Sequence, residues 1–123
     1  MRVIVSLLVL LMFSLNSFAL VVDSIVCGLG IKNRAIVSKS DEFKEGDRIY
    51  CLTTLKDIRD KTYIIHRWVL DDRHFDVRLS VRPSFRFRTW SYKTIYPSMR
   101  GVWKLEVIDN NGKLLKEKVF IVR

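Results

Sequence analysis

Phe75-Asp76-Val77-Arg78-Leu79-Ser80-Val81-Arg82 alternates strictly between apolar and polar residues. In an extended chain, successive side chains point to opposite faces. Phe75, Val77, Leu79 and Val81 therefore share one face, and Asp76, Arg78, Ser80 and Arg82 share the other. This is the pattern of a strand with one wet face. Pro83 ends it, because proline has no N–H to give to a ladder. Just upstream, Thr62 to Leu70 is rich in β-branched and aromatic residues. Asp71-Asp72-Arg73 joins the two runs as a tight hairpin.

The same reading extends in both directions. Val102 to Ile108 alternates, with Trp103, Leu105 and Val107 on one face. Asp109-Asn110-Asn111-Gly112 follows, and Asn and Gly tolerate the positive φ of a hairpin turn. Leu114 to Val122 is the returning strand. Val21 to Ile31 and Arg48 to Leu55 are two further strands. Lys39 to Asp47 is polar, with Gly46-Asp47 as a turn, and Lys56 to Lys61 is charged, as a loop or one helical turn. No segment sustains a helical period. Six or seven short strands joined by hairpins predict an all-β fold, an antiparallel immunoglobulin-like β-sandwich, with a small closed barrel as the alternative. Trp68 and Trp103 are the expected core anchors.

The chain has 123 residues, enough for one domain. Hydrophobic residues make up 49% and charged residues 28%, with five Gly and two Pro, which excludes a disordered or low-complexity chain. Its beginning reads as an address. Arg2 is a short positive region, Val3 to Phe13 is an apolar run broken only by Ser6, and Ser17-Phe18-Ala19 puts small residues where a signal peptidase reads. The expectation is a signal peptide over 1–19, a single sandwich domain over 20–123, and export to the periplasm or medium. The alternative is an uncleaved N-terminal anchor over Val3 to Val22, just long enough to span a bilayer. Cleavage would remove one cation and no acid, leaving 21 Lys and Arg against 13 Asp and Glu, a net charge of +8.

Export changes how Cys27 and Cys51 read. Outside the cytosol a lone pair of thiols usually bonds. The other reading is two buried thiols on separate strands that never meet. Their spacing excludes a CxxC redox pair, and two cysteines are too few for a structural zinc site.

Several motifs carry a family resemblance. Phe87-Arg88-Thr89-Trp90-Ser91-Tyr92-Lys93-Thr94-Ile95 precedes Gly101-Val102-Trp103-Lys104-Leu105-Glu106-Val107, then Asp109, Gly112 and a closing Val119-Phe120-Ile121-Val122. Upstream stand Tyr50-Cys51-Leu52-Thr53 and His66-Arg67-Trp68. Together they resemble the bacterial domain-of-unknown-function family numbered 2914, over essentially all of residues 20–123. Each motif is short, but their order and spacing agree. The resemblance implies an exported or membrane-tethered β domain, with no activity attached.

The residues able to do chemistry are few. His66 shares its strand face with Ile64, Trp68 and Leu70, the setting of a core histidine or of a binding-site histidine beside Arg88 and Trp90. A metal centre joining it to Asp71, Asp72 and His74 is not expected, because five extended residues span roughly 16 Å. There is no Gly-x-Ser-x-Gly elbow, no glycine-rich phosphate loop, and Ser91 has no base evident in the sequence. No enzyme activity and no cofactor are expected. The alternative is a small periplasmic hydrolase with its site near His66 and Ser91.

The strongest candidate is Arg82 to Lys93. If that run is extended, Arg86, Arg88 and Trp90 share one face, and Phe85 and Phe87 the other. An indole stacks on a ligand while a guanidinium bonds it as a fork. The candidate ligand residues are Arg86, Arg88, Trp90 and Lys93, with His66 and Trp68 as neighbours. The competing reading makes the aromatics core and the arginines solubilising groups on an edge strand. Expected partners are an anionic envelope polymer, a glycan, a lipid headgroup at the membrane surface, or a partner protein. Nucleic acid is not expected outside the cytoplasm.

Overall fold

The computed structural model describes residues 20–123. The expected signal peptide lies outside the described residues. Val21 and Val22 already belong to the first strand, opposite Lys56 and Leu55.

Among the described residues nine strands follow one another: β1 Val21–Lys32, β2 Ala35–Lys39, β3 Glu42–Phe43, β4 Arg48–Ile58, β5 Thr62–Leu70, β6 Arg73–Val81, β7 Ser84–Thr94, β8 Gly101–Asp109 and β9 Leu114–Val122. They form two sheets, ordered β2-β1-β4-β7 and β3-β9-β8-β5-β6. The sheets are separate, so the fold is a sandwich and not a closed barrel. The order is immunoglobulin-like. β1, β4 and β7 take the places of strands A, B and E, β5, β8 and β9 those of C, F and G, and β6 is an added C′.

The alternating run behaves as its pattern dictates. On β6, Phe75, Val77 and Leu79 are half-buried and Val81 is buried, while the residues between them are exposed. β5 is central, between β6 and β8, and buries Ile64, His66, Trp68 and Leu70. Trp103, Leu105 and Val107 of β8 are fully buried. Asp109 then shapes the β8–β9 turn, its Oδ1 accepting the N–H groups of Asn111 and Lys113 at 2.9 Å each.

Two strands were not expected, and one pairing breaks the all-antiparallel rule. β3 arises inside the polar Lys39–Asp47 stretch and pairs parallel with β9 through Glu42↔Ile121 and Phe43↔Val122. Phe43, buried edge-on against Phe120, is what draws it in. β2 arises because Asn33 and Arg34 both adopt positive φ, 51° and 60°. That is the backbone of a two-residue hairpin turn, although arginine is an unusual choice there. The charged Lys56–Lys61 stretch is neither loop nor helix throughout, because β4 continues to Ile58.

The β1–β2 hairpin bends back over the four-stranded sheet. Arg88 Nη1 donates to the carbonyl of Arg34 at the hairpin tip, 3.3 Å. Yet Arg88 pairs with Thr54, and Thr54 with Ser24. A straight β1 would carry Arg34 about 33 Å beyond Ser24. Gly28 permits the fold-back: a Cβ there would meet Ile36 Cγ2 at 2.5 Å and the Val37 carbonyl at 2.6 Å. The hairpin explains why Leu52 and Thr54 are buried although they point away from the core.

Cys27 and Cys51 lie directly opposite one another on β1 and β4 and form a disulfide, with Cα atoms 4.1 Å apart. Both are buried. The bridge closes a loop with a sequence separation of 24. On the chain-entropy account such a loop stabilises by about 3 kcal/mol. The Cys27→Ala/Cys51→Ala variant should lose about that much in denaturant melts. An unchanged midpoint would show that the bridge does not constrain the unfolded chain.

Candidate functional site: the β7 face and its open edge

Register on β4 decides which way β7 points its side chains. Ile49, Cys51, Thr53 and Leu55 are fully buried, and they pair with Lys93, Ser91, Thr89 and Phe87. Those four β7 residues therefore face the core. Arg86, Arg88, Trp90 and Tyr92 face outward, beside Lys56, Thr54, Leu52 and Tyr50 of β4. The outer face thus gathers Arg86, Arg88 and Trp90, joined by Tyr92, Tyr50, Arg48 and Lys56. Tyr50 and Tyr92 pack with centroids 5.4 Å apart, and the Arg48 guanidinium lies 4.6 Å over Tyr92. Trp90 is half-buried.

The two arginines are not free. Arg86 pairs with Asp23 at 3.4 Å, and Asp23 also takes Lys56 at 3.2 Å. Arg88 holds the hairpin tip. Such exposed pairs are weak, about 0–1 kcal/mol each, so an anionic ligand can compete for them.

Lys93 does not join this face. Its ammonium lies between the sheets, 4.3 Å over the Phe75 ring of β6, and donates to the Thr94 carbonyl at 3.3 Å. Burial holds its pKa below the ordinary lysine value. An inward-pointing charge on an edge strand is a known guard against indiscriminate pairing.

His66 and Trp68 do not neighbour the outer face either. Both are fully buried in the core. His66 Nε2 bonds Thr53 Oγ1 at 2.8 Å and its Nδ1 bonds Ser91 Oγ at 2.6 Å. Trp68 Nε1–H donates to the same Ser91 oxygen at 3.1 Å. One histidine thus ties β5 to β4 and β7 of the opposite sheet. Burial pushes its pKa down to about 3. The two ring nitrogens are both taken by hydroxyls, and among the described residues no carboxylate bonds the imidazole. Among the described residues, no cluster of three His, Cys, Asp or Glu could hold a metal ion.

An open groove of about 480 Å³ runs beside β7, lined by Val77 of β6 and by Trp90, Ser91 and Tyr92. Arg48, Tyr50 and Lys56 were invisible to sequence reasoning because they reach the face through β4 pairing. Tyr92 was legible, two residues from Trp90 on the same alternation.

The fold defines this chain as an immunoglobulin-like β-sandwich domain. It belongs to the family described as Protein of unknown function (DUF2914), whose model matches residues 61–122. The Tyr50-Cys51-Leu52-Thr53 motif lies outside that segment, so the match is shorter than the resemblance read from the sequence. Two crystal structures of a β-glucosidase from Listeria innocua, one in complex with glucose, are similar, with a TM-score of 0.52 and 12% identity. The match covers 86% of this chain but 16% of the glucosidase chain. At that identity the likeness concerns the fold alone. No curated protein sequence matches the chain.

Proposed function

We propose that the domain is a non-catalytic binding module that engages an anionic partner through the outer face of β7 and β4. The observation that carries this reading is the outward row of Arg86, Arg88, Trp90 and Tyr92 along β7, flanked on β4 by Lys56 at one end and by Tyr50 and Arg48 at the other. Stacking rings and paired guanidinium groups suit an envelope polymer, an anionic glycan, a lipid headgroup or an acidic protein surface. In this reading the domain works outside the cytoplasm, in the periplasm or beyond, which the Cys27–Cys51 bridge supports.

Retention on heparin or anionic vesicles, measured against salt, tests it. The Arg86→Ala/Arg88→Ala variant should elute earlier with a shallower salt dependence, because screening acts on those contacts. Its fold should stay intact, with a loss of no more than about 2 kcal/mol, the sum of the two weak surface contacts. Unchanged retention would reduce the arginines to solubilising groups.

A hydrolase centred on Ser91 is the second reading, favoured by the 2.6 Å contact between Ser91 and His66. The electrostatics work against it. A base with a pKa near 3 has little driving force to take a serine proton at neutral pH. Labelling of Ser91 by a fluorophosphonate would reverse the preference.

A further inference from the structure

The backbone of β7 carries an inference that its side chains alone do not. Among the described residues β7 has one neighbour, β4, and its other side is an open edge. The short 4.1 Å Cα spacing of Cys27 and Cys51 marks a non-hydrogen-bonded pair. The peptide groups of Cys51 therefore point to β7, at Ser91. By alternation, Phe87, Thr89, Ser91 and Lys93 bond to β4. Ile95 continues this set, its N–H donating to the Asp47 carbonyl at 2.9 Å. The peptide groups of Arg86, Arg88, Trp90 and Tyr92 then face the open edge.

That edge is closed at both ends and open in the middle. At one end, the Ser84 hydroxyl accepts from the Arg86 N–H at 3.1 Å and donates to the Arg86 carbonyl at 2.9 Å. At the other, Lys93 occupies the Thr94 carbonyl. Between them stand Arg88, Trp90 and Tyr92. The groove lined by Trp90, Ser91, Tyr92 and Val77 lies along the same stretch.

We propose that this window accepts an extended, acidic segment of a partner protein as an added β-strand. The proposal rests on the reading of the β7 face as a binding surface and names its occupant. Main-chain bonds would supply affinity, and alternate side chains would supply specificity. Charge chooses the occupant. β7 and the turn before it carry Arg82, Arg86, Arg88 and Lys93, and from Val77 to Leu105 the chain has no acid. A second copy of this chain would set that basic run against itself. A strand carrying glutamate or aspartate on the face beside Arg86 and Arg88 would neutralise it, and its apolar residues, turned to the inner face, would meet Val77.

The probe is an eight-residue peptide alternating valine and glutamate, titrated into the purified protein and followed by amide hydrogen exchange. Protection should appear at Arg88, Trp90 and Tyr92, while Thr89 and Ser91, already bonded to β4, should not change. Arg88→Ala and Arg88→Pro both remove the guanidinium, but only the proline removes the outward N–H. Edge positions of this kind tolerate proline. Arg88→Pro should bind roughly five- to tenfold more weakly than Arg88→Ala, the size of one peptide hydrogen bond.

Equal affinity of the two variants, or no protection at the three amides, overturns strand addition. If heparin retention then still depends on the arginines, the binding face stands and only its occupant changes. If both measurements fail, both readings fail. Should Arg88→Pro melt early, the exchange pattern of the unaltered protein decides alone. Protection of the three amides without peptide, together with a dimer in sedimentation, would assign the edge to a second copy instead.

Discussion

Between pH 6.5 and pH 5 the domain is expected to lose on the order of 2 kcal/mol of stability through one residue, His66. The folded protein holds His66 neutral down to about pH 3, whereas the unfolded chain protonates it near the ordinary value of about 6.5. Below that value the unfolded state binds a proton that the folded state refuses. Stability is therefore complete above pH 6.5 and falls as the pH drops toward 3. The full loss is on the order of 5 kcal/mol, comparable with the whole stability of a small domain, about 5–15 kcal/mol. The upper part of the window lies above the ordinary carboxylate range, so Asp and Glu contribute little to it. Denaturant melts at pH 7 and pH 5 measure the slope. His66→Gln should be less stable at pH 7 and much flatter across the interval. An equally steep slope in that variant would place the acid sensitivity elsewhere.

Truncation of Trp103 should cost about 3–5 kcal/mol, as large aromatic deletions in cores do. The indole is fully buried. It lies between two rings, Phe120 at 6.0 Å and Phe75 at 6.2 Å. Its Nε1–H donates to the Met99 carbonyl at 2.9 Å. Trp103→Ala would empty the space between the rings and leave that carbonyl without its donor. Its neighbour Val102 points outward and is 60% exposed, so Val102→Ala should change stability by less than about 0.5 kcal/mol. Melts of the two variants test the assignment of faces on β8. A loss below about 1 kcal/mol for Trp103→Ala would mean that the sheets close over the gap.

Strands with one wet face wrote themselves into the sequence. β6, β8 and the β8–β9 turn follow from alternation and from Asp109 and Gly112, because local pattern alone decides them. β2 and β3 were hidden because neither has a pattern of its own. β2 depends on an Arg34 in positive φ, and β3 is two residues long, held by Phe43 meeting a residue far away in the chain.

The candidate face was half legible. Alternation within β7 put Arg86, Arg88 and Trp90 together. It also put Lys93 on the opposite face, where the structure has it, yet composition grouped it with its basic neighbours. His66 and Trp68 were placed beside Arg88 because nothing local says which face of β5 meets which face of β7. The contributions of Arg48 and Tyr50 depend on the register of two strands far apart in sequence, which sets Tyr50 opposite Tyr92.

The hydroxyls around His66 also choose between alternative alignments of the two sheets. Slide β5 by two residues along its own direction, about 6.6 Å, and its inward face is still built of Ile64, Trp68 and Leu70. Hydrophobic contact, being non-directional, barely distinguishes that arrangement from the native one. Thr53 and Ser91 do. The slid alignment would set apolar groups against both hydroxyls and strand the imidazole among carbon atoms. Each buried polar group left without a partner costs about 1–3 kcal/mol. The Leu, Ile and Trp side chains make the halves stick; the imidazole, reaching two strands at once, makes them stick in one place.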